Sequence, residues 1–91
     1  MLDTILHNSR DKAFRDPQGA LACGERVRLS IKTPGETRAR LRVWENGREL
    51  LLEGEKNGSM TDFIYRAPNW PGLVWYYFVI DTPFGTKYYS G

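Results

Sequence analysis

From Arg26 onward, apolar and polar residues alternate with a period of two. Val27, Leu29 and Ile31 fall on one side, and Arg26, Arg28, Ser30 and Lys32 on the other. That alternation predicts a half-buried β-strand. Thr33-Pro34-Gly35-Glu36 breaks it. A second alternating run then sets Ala39, Leu41 and Val43 against Arg38, Arg40, Arg42 and Trp44. Asn46-Gly47 follows, a dipeptide whose residues both accept the positive φ of a two-residue hairpin turn. The pattern places a short returning strand at 49–53, a polar loop at 55–59, and another alternating strand at 60–67 with Phe63 and Tyr65 inward. After a Pro- and Gly-containing break at 68–72, Leu73 to Asp81 reads as the most apolar strand. Thr82-Pro83-Phe84-Gly85 turns into a last one at 86–89.

No segment carries a helical stripe. Residues 1–24 show little periodicity beyond the turn signal Asp16-Pro17-Gln18-Gly19. They read as an irregular lead-in to a β-sandwich over 25–91. About seven short strands separated by Pro and Gly turns predict an all-β, antiparallel, immunoglobulin-like sandwich. The Cys…Trp…Cys spacing of antibody domains is absent.

Composition narrows the class. Ninety-one residues suffice for one domain but not for a (β/α)8 barrel. Charged residues make up 26% and hydrophobic ones 41%, which is globular rather than disordered composition. Thirteen Lys and Arg stand against eleven Asp and Glu, too even a balance for a partner held by phosphate charge. The single Cys23 excludes an intrachain disulfide and a multi-thiolate metal site. Met1 to His7 has neither the basic start nor the apolar run of a signal peptide, and no stretch is long enough to span a bilayer. With the unpaired cysteine, these features set the expectation of a cytoplasmic protein. The chain closes on Tyr88-Tyr89-Ser90-Gly91, aromatic to its edge, which reads as a cut in a linker between domains.

The sequence offers little for catalysis. His7 is the only histidine, and with Ser9 or Cys23 it would have to form a rigid nucleophile–base pair from weakly patterned sequence. The expectation is instead a hydrogen-bonding or solvent-facing His7 and a Cys23 that acts as a small apolar filler. Glu53 and Glu55 are close in sequence but sit in a Gly- and Lys-containing loop, which does not define a glycosidase pair. Neither metal-ligand spacing nor a phosphate-cradling loop occurs, so no catalytic residue, metal ligand or cofactor is expected.

Two features point to binding. Arg38, Arg40 and Arg42 share a face with Trp44, a combination that would suit a single-stranded nucleic acid. Glu36, Glu45, Glu49 and Glu53 are close enough to pair with them across strands, and a salt-bridged face is the expectation. On the strand 73–81, Val74, Tyr76, Phe78 and Ile80 share one face, and Leu73, Trp75, Tyr77 and Val79 the other. With the first face inward, Trp75 and Tyr77 emerge outside, where Trp44 and Trp70 extend the aromatic area. Outward rings on a small domain are buried in the sandwich rim, covered by a neighbouring domain, or offered to a sugar whose C–H groups pack on them.

Two groups of residues together carry a family likeness. One is His7-Asn8-Ser9-Arg10, Phe14-Arg15-Asp16-Pro17-Gln18-Gly19-Ala20 and Cys23-Gly24. The other is Pro71-Gly72-Leu73-Val74-Trp75-Tyr76-Tyr77-Phe78 and Tyr88-Tyr89-Ser90-Gly91. In this order and spacing they resemble the N-terminal immunoglobulin-like domain that precedes the catalytic barrel in bacterial α-amylase-type enzymes of glycoside hydrolase family 13, neopullulanases and amylopullulanases among them. The resemblance implies a non-catalytic accessory domain, related to starch-binding modules, in an enzyme acting on starch, maltooligosaccharide or pullulan. The family's catalytic carboxylates lie in the barrel, expected beyond residue 91, and none has a counterpart here. The implied partners are that barrel, an α-1,4-glucan and a second copy of the full enzyme.

Overall fold

The structure, a computed structural model, describes residues 5–8, 10–19, 22–35, 37–69, 72 and 74–89. Eight strands follow in order: β1 (Arg15–Asp16), β2 (Arg26–Lys32), β3 (Arg38–Glu45), β4 (Arg48–Glu53), β5 (Glu55–Asn57), β6 (Met60–Arg66), β7 (Val74–Thr82) and β8 (Gly85–Tyr89). They form two antiparallel four-stranded sheets, ordered β1-β2-β6-β5 and β4-β3-β7-β8, and no helix occurs among the described residues. The chain is therefore the all-β sandwich that the alternation predicts.

The inner faces carry the residues the period-two pattern assigns to them. Leu29, Ile31, Leu41, Val43, Phe63 and Phe78 are fully or almost fully buried, and Ile80 joins them. Burying side chains of this size stabilises by roughly 1.5–3 kcal/mol each. Asn46 and Gly47 adopt φ of +51° and +80°, the hairpin turn expected between β3 and β4. Gly54 then carries the chain from the second sheet to the first. A Cβ there would lie 2.6 Å from the Phe63 ring and 2.7 Å from the Thr61 methyl, so only glycine fits the crossing.

Two elements escape the sequence pattern. The segment 55–59, expected as a polar loop, contains β5, which pairs with β6 and turns at Gly58-Ser59. All three β5 residues are exposed at a sheet edge, so no buried face exists to impose alternation. Within the unpatterned 1–24, two short segments pair with β2. Leu6 exchanges both backbone hydrogen bonds with Lys32 at 2.9 Å, the Ser30 N–H donates to the Phe14 carbonyl at 2.8 Å, and β1 continues the ladder. This covers the edge that β2 would otherwise leave open.

His7 fastens that segment between the sheets. It is 4% exposed, with ring centroids 4.8 Å from Phe78 and 6.1 Å from Phe14. The Ser30 carbonyl, 2.7 Å from Nδ1, can only accept, so Nδ1 carries the proton. Nε2 then accepts from the Tyr76 hydroxyl at 2.9 Å. Burial is the main force holding the His7 pKa below its ordinary 6.5, with Arg15 adding a smaller push; the Ser30 bond works the other way. A depressed folded pKa means the unfolded chain binds the proton more readily. Stability from this site is thus complete above 6.5 and declines as pH falls through the window beneath it. Thermal melts should show a lower Tm at about pH 5 than at about pH 7.5, and His7→Gln should flatten the difference.

Candidate functional site

Outer-face residues of the second sheet are set in rows by strand register. Glu53, Arg40, Val79 and Tyr88 form one row; Leu51, Arg42 and Tyr77 form the next; Glu49, Trp44 and Trp75 form the third. Trp44 and Trp75 are thus direct cross-strand neighbours, side by side where the sheet meets the β3–β4 turn. The same alternation that buries Val43 and Tyr76 inward forces both indoles out. Trp75 is 59% exposed, and Trp44 is half-buried.

Together with Asn46 and Gly47, the two indoles line an open recess of about 280 Å³. The Asn46 side chain is pressed against Gly72: a Cβ on Gly72 would fall 1.7 Å from Asn46 Oδ1. That close approach holds the amide at the edge of the recess. Flat apolar walls with one amide at the rim suit a ligand with both C–H faces and hydroxyls.

Tyr77 lies on the same face one row away but is not free. The Arg42 guanidinium carbon sits 5.7 Å from its ring centroid, and Tyr88 packs edge-on at 5.9 Å. Val79, also on this face, is buried between Arg40 and Tyr88 in register. Of the four predicted aromatics, Trp44 and Trp75 converge and Tyr77 adjoins them. Trp70 lies outside the described residues.

The arginine strand is neutralised within the sheet. Arg38 pairs with Glu53, Arg42 with Glu49 at 2.7 Å, and Arg40 with Asp81 at 2.9 Å. Hydrogen bonds to Glu53 and Glu49 raise the pKa of Arg38 and Arg42, so both stay charged and paired. Glu49 and Glu53 take the role expected of them, and Glu36 lies outside the described residues. Glu45 does not: at the end of β3 it faces inward, accepting from the buried Tyr65 hydroxyl and standing 3.4 Å from Arg48. Asp81, distant in sequence, takes the place left beside Arg40. With each positive charge matched in the plane, this face presents rings rather than charge.

Among the described residues, the nominal catalytic groups do not come together. Both His7 nitrogens are engaged, which leaves no base, and Ser9 is outside the described residues. Cys23, expected as a core filler, is instead exposed, because residues 22–25 form a surface turn. Glu53 is held by Arg38, and Glu55 lies on β5 opposite Asp62.

Asn46 and Gly47 are site residues that the aromatic pattern alone misses. Their turn signal was legible, but the signal fixes a backbone shape and says nothing of which side chains border the turn. Leu51, half-exposed, and Tyr88, 65% exposed, extend the apolar area past the recess for the same reason.

No protein-family model matches the chain, and no solved structure does. Among curated proteins it is similar to the amylopullulanase of Thermoanaerobacterium saccharolyticum, 29% identical over an alignment covering 97% of this chain. Amylopullulanases of Thermoanaerobacterium thermosulfurigenes and Thermoanaerobacter thermohydrosulfuricus are each 27% identical over the same share. The chain spans between 5% and 8% of the length of these relatives. Nearly all of this small sandwich thus aligns with a small part of much larger enzymes.

Proposed function

We propose that this chain is a non-catalytic accessory domain of an α-glucan hydrolase, and that its Trp44–Trp75 recess contacts α-1,4-linked glucan. The observation that carries the glucan contact is the cross-strand pair of outward indoles lining an open recess on a face whose charges are internally matched. An uncharged ligand loses nothing to unmatched charge on such a face. Indole rings supply the flat surface on which the C–H side of a pyranose packs. The similarity to amylopullulanases over nearly the whole chain supports the accessory role. In this reading Asn46 receives or donates a hydrogen bond to a sugar hydroxyl, and Tyr77, braced by Arg42 and Tyr88, fixes the floor next to it.

The chain titrated with maltoheptaose should shift the Trp44 and Trp75 indole N–H signals, with a Kd on the order of 0.1–1 mM. Trp75→Ala should weaken that binding at least ~10-fold while leaving the fold intact by circular dichroism, since an exposed ring contributes contact rather than core. Silent indole signals at about 10 mM ligand would remove the direct sugar contact.

Contact with a neighbouring catalytic barrel is the second reading, and Leu51 and Tyr88 favour it. They stand outside the recess and widen the apolar area beyond what one short glucan covers. Loss of barrel binding on Leu51→Asp, with maltoheptaose binding unchanged, would separate the two uses of the face.

A further inference from the structure

The chain holds two Asn-Gly dipeptides, Asn46-Gly47 and Asn57-Gly58. Such a pair carries its own chemistry. The backbone nitrogen of the second residue can attack the side-chain amide carbon of the first. A glycine there neither shields the nitrogen nor resists the backbone rotation that closes the ring. Both asparagines are exposed, so neither sequence nor exposure distinguishes them. What each side chain rests on does.

Asn46 is held twice over. Its φ of +51° belongs to the hairpin turn, which Glu45 and Arg48 close on either side, between strands of eight and six residues. Its whole amide also lies against Gly72: a Cβ there would come within 1.7 Å of Oδ1, 2.6 Å of Cγ and 2.9 Å of Nδ2. To meet the Gly47 nitrogen, Cγ must leave this seat while the backbone turns against both strands. Asn57 has neither restraint. It ends β5, a strand of three exposed residues at the edge of its sheet. The ladder closes at the Asn57–Met60 pair, which leaves the Gly58 N–H outside it. Gly58 has φ of +63°, and nothing lies within 4 Å of the place a Cβ would take, so water and hydroxide reach the nitrogen. An edge element without a buried face opens at small cost in free energy, which frees the backbone for ring closure.

We propose that Asn57 is a site of spontaneous covalent modification, in which water converts it to an aspartyl or isoaspartyl residue, and that the seat on Gly72 spares Asn46 the same reaction. Hydroxide removes the Gly58 N–H proton, and the nitrogen forms a bond to Asn57 Cγ. The Cγ–Nδ2 bond then breaks, and ammonia departs after taking a proton from water. Water opens the resulting cyclic imide at either carbonyl. Opening at the side-chain carbonyl returns an ordinary aspartate, and opening at the main-chain carbonyl routes the backbone through the side chain. Water is consumed, ammonia is released, and nothing is oxidised or reduced. The isoaspartyl form adds a backbone atom between β5 and its turn, while the Thr33 N–H keeps hold of the Ser59 carbonyl at 2.9 Å. The Asn57–Met60 register is then lost, and β5, with no buried side chain, releases β6 as the new sheet edge. The recess, on the other sheet, keeps its amide. This inference is independent of the sugar-binding reading.

The folded chain, incubated at mildly alkaline pH and followed by peptide mapping, should gain acid at position 57 at least ~10-fold faster than at position 46, a ratio that needs only about 1.4 kcal/mol of extra restraint. In about 5 M guanidinium chloride, where neither dipeptide is held, the two rates should agree within ~3-fold. Hydrogen exchange of the aged protein should show protection lost along β5–β6 and unchanged between β3 and β7. Asn57→Gln should prevent both changes, since the longer side chain closes its ring far more slowly. Gly72→Ala should dislodge the Asn46 amide and raise its rate towards that of Asn57. Where Gly72→Ala does not fold, the comparison in denaturant carries the test. Equal rates at the two sites in the folded chain would overturn the proposal, as would faster loss at Asn46. A ratio that persists in guanidinium chloride would overturn it too, because the preference would then belong to local sequence and not to the fold.

Discussion

Phe78→Ala is expected to lower stability by about 4 kcal/mol, the largest effect of any single truncation in this chain. Phe78 is fully buried, and its ring meets three others: His7, Phe63 at 5.8 Å and Tyr76 at 5.9 Å between centroids. Phe63 belongs to the first sheet, Tyr76 to the second, and His7 to the lead-in. One side chain thus joins all three parts of the sandwich, and removing it opens a cavity that none of them can close alone. A domain of this length has a total stability of roughly 5–14 kcal/mol, so the loss takes a large share of it. Urea unfolding followed by tryptophan fluorescence should show the midpoint falling steeply, and the Tm should drop by roughly 15–30 °C. Ile64→Ala, on an exposed side chain of similar hydrophobicity, should change stability by no more than about 0.5 kcal/mol. A small effect at Phe78 would mean that the two sheets do not depend on this contact.

Much of this arrangement is legible in the sequence because alternation is a physical constraint. A strand with one buried face must repeat every two residues; β3 and β6 do so throughout, and β2 departs from it only at Ser30, which is buried on the outer side. β7 is apolar on both sides, so its pattern leaves the inner face open; the structure resolves it, with Phe78 and Ile80 fully buried and Trp75 59% exposed. What alternation cannot reveal is an element with no buried face, as with β5, or one held by backbone and a single side chain, as with the lead-in and His7. It also cannot rank acidic residues as partners for the arginines. Glu45 and Glu49 both lie near Arg42 in sequence, but the hairpin register sends the first inward and the second outward, while Asp81 arrives from a strand some forty residues away. The aromatic pair Trp44 and Trp75 follows the same logic: each was visible as an outward ring, but their being neighbours depends on the register of β3 with β7, which no local pattern encodes.

Tyr65→Phe is expected to cost about 2–3 kcal/mol, although it deletes a single oxygen. The Tyr65 hydroxyl donates to the Glu45 carboxylate across the core, from β6 to the end of β3, and Glu45 is 7% exposed. Burial, more than the adjacent carboxylate, drives the Tyr65 pKa upward, so the hydroxyl keeps its proton and remains the donor. Phenylalanine would leave a desolvated carboxylate oxygen facing an apolar ring. Arg48, 3.4 Å away and mostly solvent-exposed, offsets part of that cost but cannot replace a buried donor. Glu45→Leu combined with Tyr65→Phe removes both the donor and the charge it served. The double variant should therefore be more stable than Tyr65→Phe alone, and a double-mutant cycle would measure the coupling. The bond also bears on the recess, because Glu45 sits between Trp44 and Asn46 in the chain. An end of β3 no longer tied to β6 should let both lining residues wander, so Tyr65→Phe should weaken maltoheptaose binding several-fold, and the double variant should recover stability without recovering affinity. Equal affinity in all three proteins would mean that the recess is shaped by the Asn46-Gly47 turn and Gly72 alone, with the inter-sheet bond serving only to keep a charge satisfied.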